Sequence, residues 1–171
     1  MSVRIAPSAD VAESAAIGDG SQIWHLAQVR EGVSMGESCV VGRGAYIGTG
    51  VQMGRNCKVQ NYALVYEPAT LADGVFIGPA VVLTNDTYPR AVNPDGTLKS
   101  ADDWHAVGVT IGEGAAIGAR AVCVAPVTIG AWATVAAGAV VSKAGPAPGC
   151  VVGGAAGRGG GGGGAGRRGV G

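Results

Sequence analysis

The chain has 171 residues, with 12 basic and 12 acidic side chains and a formal net charge of zero. That balance gives no pull toward nucleic acid or an anionic membrane surface, and no long apolar run marks a membrane span. Aromatic residues make up 5% of the chain while Gly reaches 32, a composition that suits stacked repeats better than a conventional globular core.

In chain order, Met1 to Ala12 lacks the charged and apolar blocks of a secretory signal, so a cytoplasmic protein is expected. From Ile17 to Leu83 the chain then obeys a period of six. Positions 17, 23, 29, 35, 41, 47, 53, 59, 65, 71, 77 and 83 are all aliphatic. Four residues after each comes a small residue, as at Ser21, Ala27, Val33, Cys39, Ala45, Val51 and Cys57. Gly follows the aliphatic residue at 18, 36, 42, 48, 54 and 78, where it is expected to supply bend conformations that other residues resist. Six fits neither the 3.6 period of a helix nor simple strand alternation. It fits a short strand and a tight bend, repeated so that every third unit returns to the same face. Three units then make a coil of 18 residues. Ile17, Met35, Met53 and Leu71 stack in one inward column, Ile23, Val41, Val59 and Ile77 in a second, and Val29, Ile47, Val65 and Leu83 in a third. Parallel strands form between coils. Ile5 and Val11 continue the columns backward, and the coil is expected to begin near residue 11.

From Asn85 to about Ala106 the period vanishes. The segment NDTYPRAVNPDGTLKSADDWHA carries two of the eight prolines and a Pro-Asp-Gly turn, and reads as a loop leaving the coil. Loops of such length in a compact domain are usually functional. The columns resume at Ile111, Ile117, Cys123, Ile129, Val135 and Val141. Beyond Gly153, residues 154–171 are Gly-rich with Arg158, Arg167 and Arg168 as their only charges, and are expected to be disordered. The four cysteines show no CxxC or Cys/His spacing, so they read as small packing residues and no metal is expected.

The repeat needs only bland outward residues, so its polar departures are informative. Trp24-His25, Gln60-Asn61, Tyr66-Glu67 and Thr84-Asn85-Asp86 replace Gly-x pairs. Stacking by 18 puts Trp24 with Gln60 and His25 with Asn61 on one face. Arg30, Tyr66 and Thr84, flanked by Glu31, Glu67 and Asn85, fall on another.

The six-residue pattern resembles the hexapeptide repeat of left-handed parallel β-helix proteins, which implies an all-β fold of that hand with one long inserted loop. The strings IGDGSQIWHLAQV, CKVQNYALVYEPATLADGVFIGPAVVLTNDTYPRA and VTIGEGAAIGARAVCVAPVTIGAWATVAAGAVV carry a narrower resemblance, over about residues 11–153, to the nucleotide-sugar 3-N-acetyltransferases. That resemblance implies acetylation of the 3-amino group of a UDP- or dTDP-linked amino sugar by acetyl-CoA, in a homotrimer with parallel coil axes. It implies a sugar-nucleotide site built from Trp24, His25, Gln60, Asn61, Tyr66, Glu67, Asn85, Asp86 and Arg90. Acetyl-CoA is expected along the C-terminal coils near Gly118, Ala136 and Gly153. The chain departs from the family pattern at Tyr62, at Asp102-Asp103-Trp104-His105, and in its ending VVGGAAGR.

Amine acetylation needs a proton acceptor, a donor to the developing oxyanion and close positioning of two substrates. His25 is the conventional base of the motif region. Asn85 can orient the amine or the thioester carbonyl, and Glu67, one coil below it, can hold the sugar or take a proton. Three alternatives fit less well. A zinc carbonic anhydrase on this fold needs three histidines, and the chain has two. A non-catalytic solenoid predicts featureless or Thr-lined faces. An O-acetyltransferase demands a firm general base.

Overall fold

The computed structural model describes residues 2–142 and 145–153. The chain winds through short strands of two or three residues that assemble into three parallel sheets of eight, seven and six strands. The first residue of a two-residue strand faces outward and the second inward, so one aliphatic per strand enters the core. The first sheet stacks Ile5, Ile23, Val41, Val59, Ile77, Ile117, Val135 and Val152. The second stacks Val11, Val29, Ile47, Val65, Leu83, Cys123 and Val141. The third stacks Ile17, Met35, Met53, Leu71, Ile111 and Ile129. These are the three columns that the period of six predicts. The companion residues, among them Ala27, Cys39, Ala63 and Val81, are fully buried where the walls converge. The coil begins earlier than residue 11, because Arg4–Ile5 already pairs with Gln22–Ile23.

The glycines correct one expectation. Those directly after the inward aliphatic are not the bend residues with left-handed backbone. They are there because the next coil lies too close for a side chain. A Cβ on Gly36 would stand 2.6 Å from the Arg55 nitrogen, and one on Gly78 2.7 Å from the Ala119 nitrogen. Left-handed φ falls two residues later, at Gly32 and Gly74 but also at Ser38, Asn56, Tyr62 and Trp132. Side chains are tolerated in that strained region because a ladder between coils holds the backbone. Gly44 N–H donates to His25 C=O at 3.1 Å, Tyr62 to Arg43 at 2.9 Å, and Ala80 to Asn61 at 3.0 Å.

The inserted loop leaves after Leu83 without disturbing the stack. Leu71 pairs with Ile111, where an uninterrupted repeat would supply Pro89. The Val107 N–H closes the loop on Asn85 C=O at 3.0 Å, and an antiparallel bridge joins Val92 to Leu98. Inside the loop, Ser100 and Asp103 cap a 3-10 turn at Ala101–Asp103. At the far end, Thr134 pairs with Val151, one residue short of the usual offset, and the third sheet ends at Ile129. The Gly/Arg-rich tail lies outside the described residues.

Candidate functional site

The motif residues gather at two different corners of the coil. Trp24, His25, Gln60 and Asn61 follow strands of the first sheet and, with Val40, Gly42 and Arg43, line a cavity of about 280 Å³. Tyr66, Thr84, Asn85 and Asp86 follow strands of the second sheet and, with Val82, Thr87, Pro89 and Val124, line another of about 400 Å³. The 18-residue stacking thus sorts the polar residues as the spacing predicts.

In the first cavity Trp24 stands outward, with the Arg4 guanidinium 5.0 Å from its ring centre, a cation over an aromatic face. His25 is exposed, and its Nδ1 lies 3.0 Å from Ser8 Oγ on the preceding coil. Asn61 Oδ1 accepts from the Arg43 backbone N–H at 2.9 Å, which turns the amide NH₂ away from that bond. Gly42 leaves the space, since a Cβ there would meet Asn61 Oδ1 at 2.6 Å. Arg43 Nε donates to Tyr62 OH at 3.1 Å. Arg43 was legible in the sequence, since it stands in the 18-residue column between His25 and Asn61. Its side chain does not break the Gly-first pattern, so the pattern does not single it out.

At the second corner Tyr66 packs on Tyr46 with ring centres 5.2 Å apart at 47°. Glu67 is half-buried, and its Oε2 is fully buried with no hydrogen-bond partner. The carboxylate lies over Gly48, where a Cβ would collide with it. Burial, and then the neighbouring Glu67 charge, push the Tyr46 phenol above its ordinary value. Tyr46 is an outward strand residue, a position that the period of six treats as free, so the motif pattern does not single it out. Thr84 Oγ1 accepts from Ala125 N–H at 2.9 Å and ties this corner to the next coil. Asp86 Oδ1 accepts from Tyr88 N–H at 2.8 Å, a local turn contact. Arg90 is exposed outside the cavity lining, with Nη1 donating to Pro89 C=O at 3.4 Å. Glu31 beside this corner sits below the usual carboxylate range, held by a hydrogen bond to its own backbone and by Arg30.

Within one chain, therefore, Asn85 and Glu67 belong to one corner and His25 to another. Gly118, Ala136 and Gly153 continue the column of Trp24 and Gln60 on later coils, each directly after a paired strand of the first sheet. They line neither cavity. Among the described residues no three His, Cys, Asp or Glu side chains come together as metal ligands, and no helix is long and apolar enough to cross a membrane.

Solved structures with similar folds include the acetyltransferase domain of PglB from Neisseria gonorrhoeae, at 23% identity over 87% of this chain and 53% of that one, with TM-score 0.43. A hexapeptide-repeat acetyltransferase of Vibrio cholerae, complexed with acetyl coenzyme A, is 21% identical over 63% and 62% of the two chains, with TM-score 0.49. A mutant GDP-perosamine N-acetyl transferase of Caulobacter crescentus, complexed with CoA and GDP-perosamine, is 23% identical over 88% and 52%, with TM-score 0.40. The chain spans about half the length of the first and third of these. No curated protein matches it. Residues 30–62 and 108–143, on either side of the inserted loop, match the model described as the hexapeptide repeat of succinyl-transferase. Repeat, register and family model agree: the chain is a hexapeptide-repeat parallel β-helix protein.

Proposed function

We propose that the protein transfers an acetyl group from acetyl-CoA to the 3-amino group of a nucleotide-linked amino sugar. The observation that carries this reading is the sorting of the WH, VQN, VYE and TN motifs to two corners of the coil, each with a cavity. One of these corners holds a buried carboxylate oxygen with no partner. A buried polar atom without a hydrogen bond is rare and calls for an explanation, and a bound cation is one. A protonated amine is the chemical complement of such a carboxylate, and the Tyr46 and Tyr66 rings beside it favour a cation.

The two corners flank the second sheet, whose outward column is polar at Asp10 and Gln28 and apolar from Tyr46 through Leu64, Val82 and Val122 to Val140. A homotrimer that covers this face sets the His25 corner of one copy against the Asn85 corner of the next. In that arrangement Trp24 offers a flat surface to the base or sugar, and the Gln60 and Asn61 amides hydrogen-bond it. Tyr66 and Asp86 border the sugar, and Arg90 in the loop answers a carboxylate or diphosphate. Glu67 holds the amine, His25 takes its proton, and Asn85 orients the carbonyl that is attacked. Acetyl-CoA, which supplies the activated acyl group as a thioester, runs along the C-terminal coils beside Gly118, Ala136 and Gly153, a column without long side chains.

Thiol release from acetyl-CoA tests the reading with four acceptors, UDP- and dTDP-linked 3-amino sugars each bearing a carboxylate or a methyl at carbon six. Turnover of one member is expected. Silence across the panel, with serine or a simple amino sugar active instead, would sink the nucleotide-sugar assignment.

A further inference from the structure

The bend residue that follows an inward aliphatic by three places donates its N–H to a fixed partner, the carbonyl of the residue one place earlier in the bend of the preceding coil. Gly44 and His25, Tyr62 and Arg43, and Ser38 and Asp19 all obey this. Leu26 does not. Its partner by that rule would be Pro7, but its N–H goes to Ser8, to the carbonyl at 3.2 Å and the hydroxyl at 3.3 Å. The same hydroxyl lies 3.0 Å from Nδ1 of His25. Ser14 occupies the equivalent place at the next corner, where its hydroxyl accepts from Gly32 N–H at 3.1 Å. No imidazole stands beside it there. The backbone bond is therefore a property of the first coil, and the imidazole contact is peculiar to Ser8.

We propose that Ser8 is a positioning residue whose hydroxyl accepts the Nδ1–H of His25 and leaves Nε2 bare as the proton acceptor; the inference rests on the transferase reading above. A hydroxyl oxygen has two lone pairs and one proton. In this arrangement the lone pairs take Leu26 N–H and His25 Nδ1–H, and the hydroxyl proton turns outward to water, since Ser8 is exposed. The partner of one ring nitrogen sets the role of the other. Among the described residues the charged side chains at this corner are Arg4, stacked on Trp24, and Arg43 in the cavity wall, and no carboxylate lines the cavity. Ser8 is thus the group placed to choose the tautomer, in the role that a carboxylate or carbonyl commonly fills for a working histidine.

The chain has two histidines, so a His105→Gln variant isolates the His25 signals, and imidazole nitrogen chemical shifts read the tautomer directly. The parent should carry its proton on Nδ1. Ser8→Ala should move it toward Nε2, Ser8→Thr should keep it on Nδ1, and Ser14→Ala should leave the imidazole untouched while removing a comparable backbone bond. With the acceptor found above, Ser8→Ala should lower kcat by about tenfold, a fraction of the worth of a general base, with KM unchanged and activity restored by Thr. A parent imidazole protonated at Nε2, or nitrogen shifts indifferent to Ser8→Ala, overturns the proposal. Absence of turnover with every acceptor would instead overturn the transferase reading, while the nitrogen shifts would still judge the Ser8 contact.

Discussion

Cys39, Cys57 and Cys123 stand at inward places of the repeat with no exposed surface, whereas Cys150 is exposed near the end of the coil. Burial holds the Cys123 thiol up to about 12. A thiol held neutral in the folded state but free to ionise in the unfolded one contributes stability below the unfolded value. That contribution is lost as pH rises. Stability should therefore decline above about pH 8.5, where unfolded thiols ionise, toward the folded value of Cys123. Ellman titration of the native protein should find one fast thiol, removed by Cys150→Ser, and three that react only on unfolding; several fast thiols would contradict the burial. The same residues show what single positions disclose in a sequence. The packing role of Cys39 and Cys57 follows from spacing alone. Nothing in the identity of Ser8 or Tyr46 announces that one will touch an imidazole and the other will neighbour a buried carboxylate.

One turn of the repeat is a strand of two residues and a bend, and its stability depends on how closely successive bends approach. Gly36 is ordinary in backbone angle, yet a Cβ there would press on the Arg55 backbone. Gly36→Ala should therefore destabilise the protein by about 1–3 kcal/mol, the usual penalty of overpacking, measured by chemical denaturation. Unchanged stability would mean that neighbouring coils can separate locally. Ala72 occupies the same place in its own bend, so the position is not forbidden to side chains everywhere. What forbids one at Gly36 is the next coil, which a single repeat does not contain.

Along the whole molecule, the inserted loop is an appendage to a continuous stack. Its ends meet through Val107 and Asn85, and the strands on either side pair in register. Replacing residues 87–105 by a short Gly-Ser link should leave the far-UV spectrum unchanged and stability within about 1 kcal/mol, since loop closure depends weakly on length. Acceptor turnover should disappear, because Thr87 and Pro89 wall the second cavity. Full turnover without the loop would remove it from the acceptor site.

The period of six determined the coil, its three columns, the interruption after Leu83 and the division of polar motifs between two faces. Each of these depends only on which residues recur at fixed separation. The tertiary structure decided what depends on distance across coils: the start of the stack at Arg4, the reason for glycine after the inward aliphatic, and the unpartnered oxygen of Glu67. It also joined Ser8 to His25 and Arg43 to Asn61. Those contacts form between residues 17 or 18 places apart in side chains whose reach and direction no repeat pattern encodes.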